Sequence, residues 1–287
     1  MPDVVYHYCG VEAFNEILSS RILRLSNVYL MNDYEEHGRL IDRANSLILG
    51  PNTDDSTGWH KALSEPFPWN RTPYVGCFSS ERDLLSQWRA YSDHGEGFAI
   101  GFNTDYLKLR LKEYHSASQA MLHFDRVEYD EETQDSKLKK LLEGHGVRIE
   151  CDNDSISECD QVKLKALATK CMIWKYACFC KNPTFREECE LRLAFLPVVK
   201  LTDDGGLAYE KVISRPKFVV RDGAIVPVFE FDFAHPVDGC LPIKEIGLGP
   251  KNRAGHRDYR ECLEFFLRDR QYDVDQIDVY TSEATYR

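Results

Sequence analysis

Hydrophobic and polar positions change period several times along the chain, and each change marks an element. Val4-Val5-Tyr6-His7-Tyr8 alternates, so it reads as a short strand with Tyr6 and Tyr8 on one face and Val5 with His7 on the other. Gly10 ends that pattern, and Val11, Phe14, Ile17 and Leu18 recur at helical spacing along one face. Arg21 to Asn27 alternates again, which makes the opening unit strand, helix, strand. A second helix is expected to start at Asn32-Asp33, where either side chain can cap free amides, and to stop at Gly50. Residues 51 to 72, with Pro51, Gly58, Pro66 and Pro68, read as a loop.

The later pattern is less regular. A strand at 74–78 leads to a helix face made by Leu84, Leu85, Trp88 and Tyr91, then a glycine-rich turn and the apolar strand 98–102. The pattern predicts helices over 104–113 and 132–144 with a strand over 120–130 between them. A polar loop follows over 144–156, and then a long helix from 156 to about 181, closed by Pro183. Strands are expected over 188–195, 209–213, 218–220, 225–233 and 243–248, then a helix over 254–272 and a last strand over 276–281. Strands and helices do not alternate regularly, so the expected fold is α+β, with mixed, largely antiparallel sheets and peripheral helices in a single domain spanning 1–287.

Composition sharpens this picture. A hydrophobic fraction of 43% with 12% aromatics is that of a folded protein. The net charge of −11 repels polyanions on average, so contact with nucleic acid would need a local basic patch. Met1-Pro2-Asp3 leads directly into the first strand without a basic or apolar leader, and no apolar run is long enough for a bilayer. The expectation is a cytoplasmic protein with no membrane partner. Ten cysteines are present, but Cys171, Cys178, Cys180 and Cys189 lack the C-x-x-C spacing of a zinc site, and a cytosolic setting keeps thiols reduced. Buried free thiols are expected, and no bound metal.

Four segments carry candidate chemistry. In the first, His7 stands with Leu25-Ser26-Asn27 and the cluster from Met31 to Glu36, which offer amides, hydroxyls and carboxylates; their plainer role is turn and cap chemistry. The second combines Cys77-Phe78-Ser79 with Gln87 to Tyr91 and Gly95-Glu96-Gly97. Ser79 and Tyr91 are its candidates for facing a ligand, whereas Trp88 is expected to pack mainly in the core. In the third, alternation puts Glu188, Glu190 and Arg192 on one face of a strand. There a carboxylate could hold a ribose hydroxyl and stabilise positive charge on a sugar carbon. The fourth, Gly247 to Gly255, joins a strand to a helix, with Lys251 and Arg253 beside amides that could hold phosphate. The metalloprotease, P-loop and nucleophile-elbow motifs are all absent from the sequence.

These motifs resemble, in their order, a widespread bacterial family of unknown function found among other places near phage-defence genes. The residues that carry the resemblance are Tyr6-His7-Tyr8, Leu23 to Asn27, Asn32-Asp33 with Glu36, Cys77-Phe78-Ser79 with Trp88 and Tyr91, Lys181 with Phe185, Glu188, Glu190 and Arg192, Gly249-Pro250-Lys251, and Tyr280-Thr281-Ser282 with Tyr286-Arg287. More distantly, an opening strand with histidine, a hydroxyl-bearing middle strand and a late strand with glutamate are similar to ADP-ribosyltransferases of the His-Tyr-Glu and Arg-Ser-Glu types. That resemblance implies an ADP-ribosyltransferase-like fold and NAD as cofactor. It further implies His7 on the adenosine ribose, Ser79 or Tyr91 at the nicotinamide, and Glu188 or Glu190 as the catalytic carboxylate. Tyr8, Ser26, Asn27, Asn32, Asp33, Trp88, Arg192 and Lys251 complete the expected cofactor surroundings.

Three readings follow. One is an NAD-using enzyme acting on a macromolecular acceptor or on the cofactor itself, as a phage-defence or toxin effector. Another is a nucleotide-sensing or partner-binding module of a defence system. The third is a nuclease with a divalent metal held by Asp33, Glu36, Glu188 and Glu190.

Overall fold

The computed structural model describes residues 1–31, 35–48, 61–62, 72–143, 158–221, 223–234, 242–255 and 257–286. Strand β1 (Val4–Cys9), helix α1 (Val11–Ser20) and strand β2 (Ile22–Asn27) form the expected opening unit. Helix α2 (Glu35–Ile48) is followed by β3 (Tyr74–Ser79), α3 (Leu85–Tyr91) and β4 (Phe98–Asn103). Next come α4 (Thr104–Ser118), β5 (Met121–Arg126), α5 (Glu131–Leu142) and α6 (Glu158–Ala177). The chain continues through β6 (Glu190–Leu196), β7 (Val198–Leu201), β8 (Leu207–Glu210), β9 (Lys217–Arg221) and β10 (Ala224–Asp232). It ends with β11 (Ile243–Leu248), α7 (Arg257–Asp269) and β12 (Asp278–Thr281). Most of the expected loops at 51–72 and 144–156 lie outside the described residues.

Ten strands form one sheet, in the order β12-β11-β4-β1-β3-β2-β10-β9, with β6 joined to β3 and β5 to β6. Strands β7 and β8 pair separately. The large sheet is mixed and mostly antiparallel, with β11 and β12 parallel, so the fold is α+β as its element pattern predicts. β4 lies inside the sheet and its Phe98 to Phe102 segment is buried throughout, which is why it reads as an unbroken apolar run. The β1–β4 register alternates Val5 and His7 with Tyr6 and Tyr8 as expected.

The sheet forks at β3, and the fork creates the site. One edge of β3 pairs with β6 along its whole length, from Tyr74 with Phe195 to Ser79 with Glu190. The other edge meets β2 only at Tyr74 and Val75 and β1 only at Ser79. Between those two contacts, Gly76, Cys77 and Phe78 face a gap where β1 and β2 part. On one face of the sheet Phe78, Leu25, Phe102, Leu191, Phe229 and the α1 residues Phe14 and Leu18 form the main core. Each fully buried apolar side chain there contributes about 1.5–3 kcal/mol. On the other face, Val75 and Ala194 pack with Val28, Cys178 and Phe179, while α2, α5 and α6 meet through Leu40, Leu138, Ile173 and Tyr176. The turn before β4 needs glycine, because a Cβ on Gly97 would lie 2.2 Å from the Cys9 carbonyl oxygen.

Strand β7 was not expected, and the strand expected over 209–213 is β8 at Leu207–Glu210, but the departure that shapes the site is at 188. The segment read as the start of a strand at 188 is a 3₁₀ turn, Pro183–Glu188, and the strand begins at Glu190. Cys189 between them has φ +48, a left-handed conformation that turns the chain. Glu188 and Glu190 therefore do not share a strand face by alternation. They meet because the turn folds Glu188 back over β6.

Candidate functional site

A cavity of about 550 Å³ opens at the fork, within the size range of small-molecule sites. Tyr6, His7 and Tyr8 reach it from β1, Arg24 and Ser26 from β2, and Val75 to Phe78 from β3. Gln87 and Tyr91 come from α3, Lys181, Phe185 and Glu188 from the segment after α6, Glu190 from β6, and Arg221 from β9. Met31 completes the described wall.

A buried ionic cluster forms one end. Lys181 Nζ donates to Glu188 Oε2 at 2.6 Å and to Glu190 Oε2 at 3.1 Å. Arg192 binds Glu190 in bidentate fashion, Nε to Oε1 at 2.7 Å and Nη2 to Oε2 at 2.9 Å, and its Nη1 donates to the Cys178 carbonyl at 3.0 Å. All four side chains are buried, where an ion pair persists only if its remaining polar atoms are also engaged. The surroundings meet that condition: the Cys178 carbonyl takes Arg192 Nη1 and the Tyr91 hydroxyl donates to Glu188 Oε1, and the main chain around the cluster is also engaged. Glu190 N donates to the Tyr129 hydroxyl, and Gln134 Nε2 donates to the Glu128 and Lys181 carbonyls, at 2.7 and 3.0 Å respectively. Burial alone would raise the Glu190 carboxyl, but Arg192 and Lys181 outweigh it and hold its pKa at about 2.

Glu188 is held differently. Its Oε1 accepts from the Tyr91 hydroxyl at 3.3 Å, and its main-chain carbonyl accepts from Ser79 Oγ at 2.8 Å. Burial, and then the Glu188 charge, push the Tyr91 phenol upward, so it stays a protonated donor. Across the cavity, His7 Nδ1 lies 2.9 Å from the Cys77 carbonyl, one of the groups the parted strands leave outside the β1–β3 ladder. A carbonyl only accepts, so Nδ1 carries the proton and Nε2 remains the acceptor. Burial holds the His7 pKa below its ordinary 6.5, which keeps the ring neutral at pH 7.

Of the residues expected from sequence, His7, Tyr8, Ser26, Tyr91, Glu188 and Glu190 line this cavity together. The Tyr8 hydroxyl is already committed, donating to the Glu81 carbonyl and accepting from Leu84 N. Ser79 is buried behind the wall and positions the Glu188 main chain instead of facing a ligand. Arg192 backs Glu190. Asn27 does not line the cavity: its side chain accepts from Tyr29 N and caps the next turn. Trp88 is fully buried, stacked edge-on against Tyr8 with ring centroids 4.7 Å apart, and its Nε1 donates to Asp83 at 2.6 Å.

Lys251 lies elsewhere, with Nζ 3.8 Å above the Tyr286 ring. The expected phosphate loop around it has its amides engaged internally: Gly249 N donates to Gly97 O and Lys251 N to Gly95 O. Asn32 and Asp33, and the side chain of Glu36, lie outside the described residues. Lys181, Arg24, Gln87 and Phe185 were legible only as members of motifs, and Arg221 carried no signal. Cys178 and Cys180 are buried free thiols that burial pushes up to about 12.

The comparison with known families falls on this region. Residues 87–193 match the model of a protein family of unknown function, DUF2971. That matched segment runs from Gln87 through Tyr91 and Lys181 to Arg192, so it contains the whole ionic cluster and the α3 wall of the cavity, while His7 and Ser26 lie before it. No curated protein and no solved structure matched the chain. Among the described residues, no helix is long and apolar enough to cross a membrane, and no group of histidine, cysteine and carboxylate side chains is arranged to hold a metal ion.

Proposed function

We propose that the cavity binds NAD and that the protein cleaves the bond between nicotinamide and ribose, passing ADP-ribose to an acceptor or to water. The observation that carries this reading is the division of labour between the two glutamates. Both oxygens of Glu190 are bound by Arg192 and Lys181, which makes it the anchor. Glu188 lies at the cavity wall, with Lys181 on one oxygen and the tyrosine hydroxyl of Tyr91 on the other.

As nicotinamide leaves, its bonding electrons go with it and the ribose carbon becomes positive. A fixed carboxylate in a water-poor site stabilises that charge more than it stabilises the ground state. The neutral leaving group needs no acid. Neutral His7, with its proton committed to Cys77, accepts from a ribose hydroxyl through Nε2. Tyr91 holds Glu188 in orientation.

The 2.6 Å pair between Lys181 and Glu188 favours a second reading, in which the cavity binds a nucleotide without turnover, because the ammonium already offsets that carboxylate. The nuclease reading is disfavoured: Lys181 occupies the place between Glu188 and Glu190 that a divalent cation would take. The test is to incubate the protein with NAD, alone and with cell extract, and follow nicotinamide and ADP-ribose by mass spectrometry. Nicotinamide release supports the enzyme. Ligand-induced thermal stabilisation with no release leaves the binding module.

A further inference from the structure

Of the three Lys and Arg side chains among the described residues that line the cavity, two are ion-paired. Lys181 and Arg192 are matched by Glu188 and Glu190 within the buried cluster. Arg24 is matched by Glu16, through two bonds of 2.7 Å. Arg221 has no ion pair with a described carboxylate; its hydrogen bond runs from Nη1 to the Ser26 hydroxyl at 3.4 Å. The chain as a whole carries a net charge of −11, yet Arg221, exposed at the end of β9, brings to the cavity wall a positive charge that no described carboxylate pairs.

The fold also fixes where that cation stands. Arg221 ends β9 and pairs with Ala224 at the close of the hairpin, where Gly223 has φ +76. Arg221 and Ala224 close the hairpin beyond the last β2–β10 pair, Val228 with Ser26. The guanidinium thus reaches Ser26 from the hairpin end, on the wall formed by β2. Lys181 and the two glutamates enter from β6 and the turn before it.

We propose that Arg221, with the Ser26 hydroxyl beside it, is the subsite for the phosphates of a nucleotide, and that the cavity selects nucleoside diphosphates over nucleosides. A guanidinium offers paired donors to phosphate oxygens, and Ser26 supplies a third. The arrangement gives the cavity two chemically distinct ends, a cationic one for phosphate and the Glu188 end for the sugar carbon. The assignment rests on the reading of the cavity as a nucleotide site, but it does not require turnover.

The test is calorimetric titration of the full chain with ADP, adenosine and inorganic pyrophosphate, repeated on Arg221→Ala and Arg221→Lys. The wild type is expected to bind ADP at least about 10-fold more tightly than adenosine, with pyrophosphate weaker than ADP. Arg221→Ala should bind ADP no more tightly than adenosine, and Arg221→Lys should fall between. Equal affinity for ADP and adenosine in the wild type, no binding of ADP, or an undiminished preference in Arg221→Ala would overturn the assignment. Pyrophosphate matching ADP would overturn its nucleotide part. A protein that prefers ADP yet releases no nicotinamide would keep this subsite and lose only the enzyme reading.

Discussion

Replacing Glu190 with glutamine removes one negative charge from between two buried cations while keeping the side chain's shape. Arg192 is 2% exposed and Lys181 is 6% exposed, so neither can turn to water without repacking. The cost can be worked from the carboxyl itself. A group whose ordinary pKa is 4.5, held at about 2 in the fold, contributes about 3 kcal/mol at neutral pH by proton linkage. This agrees with the roughly 3–5 kcal/mol measured when one partner of a buried pair is removed. Because the folded pKa lies below the unfolded one, the contribution is complete above about pH 4.5 and is lost as pH falls towards 2. Urea denaturation of the wild type and Glu190→Gln should therefore differ by about 3 kcal/mol at pH 7 and by about 2 kcal/mol at pH 3.5. A difference under about 1 kcal/mol at pH 7, or one that stays constant down to pH 3.5, would refute the anchoring role.

Two further outcomes follow from the backbone and from His7. Cys189 pays for its φ of +48 at the turn between the two glutamates, so Cys189→Gly should be neutral to about 1 kcal/mol stabilising, and β-branched Cys189→Val should be about 2 kcal/mol less stable than the glycine variant. Equal thermal stability of the two variants would contradict the turn's role. Because burial lowers the His7 pKa, its ring should titrate below 6.5 by NMR, with Nδ1 protonated at pH 7. Its linked stability is complete above pH 6.5 and declines as pH falls below that value; a titration at or above 6.5 would show that the ring is solvated.

Much of the architecture was legible because it follows from local periodicity. β1, α1, β2, β3, α3, β4 and β11 stand within a residue or two of their expected positions, since most bury an apolar face or run; α3 buries Trp88 of its expected face and leaves Leu85 and Tyr91 exposed. The long helix ends at Ala177, before the expected 181: Phe179 N and Cys180 N turn to carbonyls three residues back, and Lys181 N leaves the helix for the Glu128 carbonyl. The pattern over 188–192 misled for a related reason. Alternation of Glu188, Glu190 and Arg192 is satisfied equally by a strand and by a turn that doubles back, and only the left-handed Cys189 separates them.

The site was half legible. His7, Tyr91, Glu188 and Glu190 were expected together, and the fork in the sheet brings them together. Lys181 and Arg221 were missed as site residues because no spacing rule relates a residue after α6, or one at a hairpin end, to β3. Their roles arise from how β3 divides its edge between β1 and β2. Ser79, Asn27 and Trp88 show the converse: plausible residue types in plausible segments, each engaged in holding the fold.

The measurement that bears most directly on the proposed chemistry is the rate of nicotinamide release from NAD by the wild type and by Glu188→Gln, with folding of both checked by circular dichroism. The account predicts release by the wild type and a fall of about 10²–10³-fold in the variant at unchanged fold, the usual cost of removing one charge-stabilising group from a transition state. Release unaffected by Glu188→Gln, or no release by the wild type with any acceptor supplied, would contradict it.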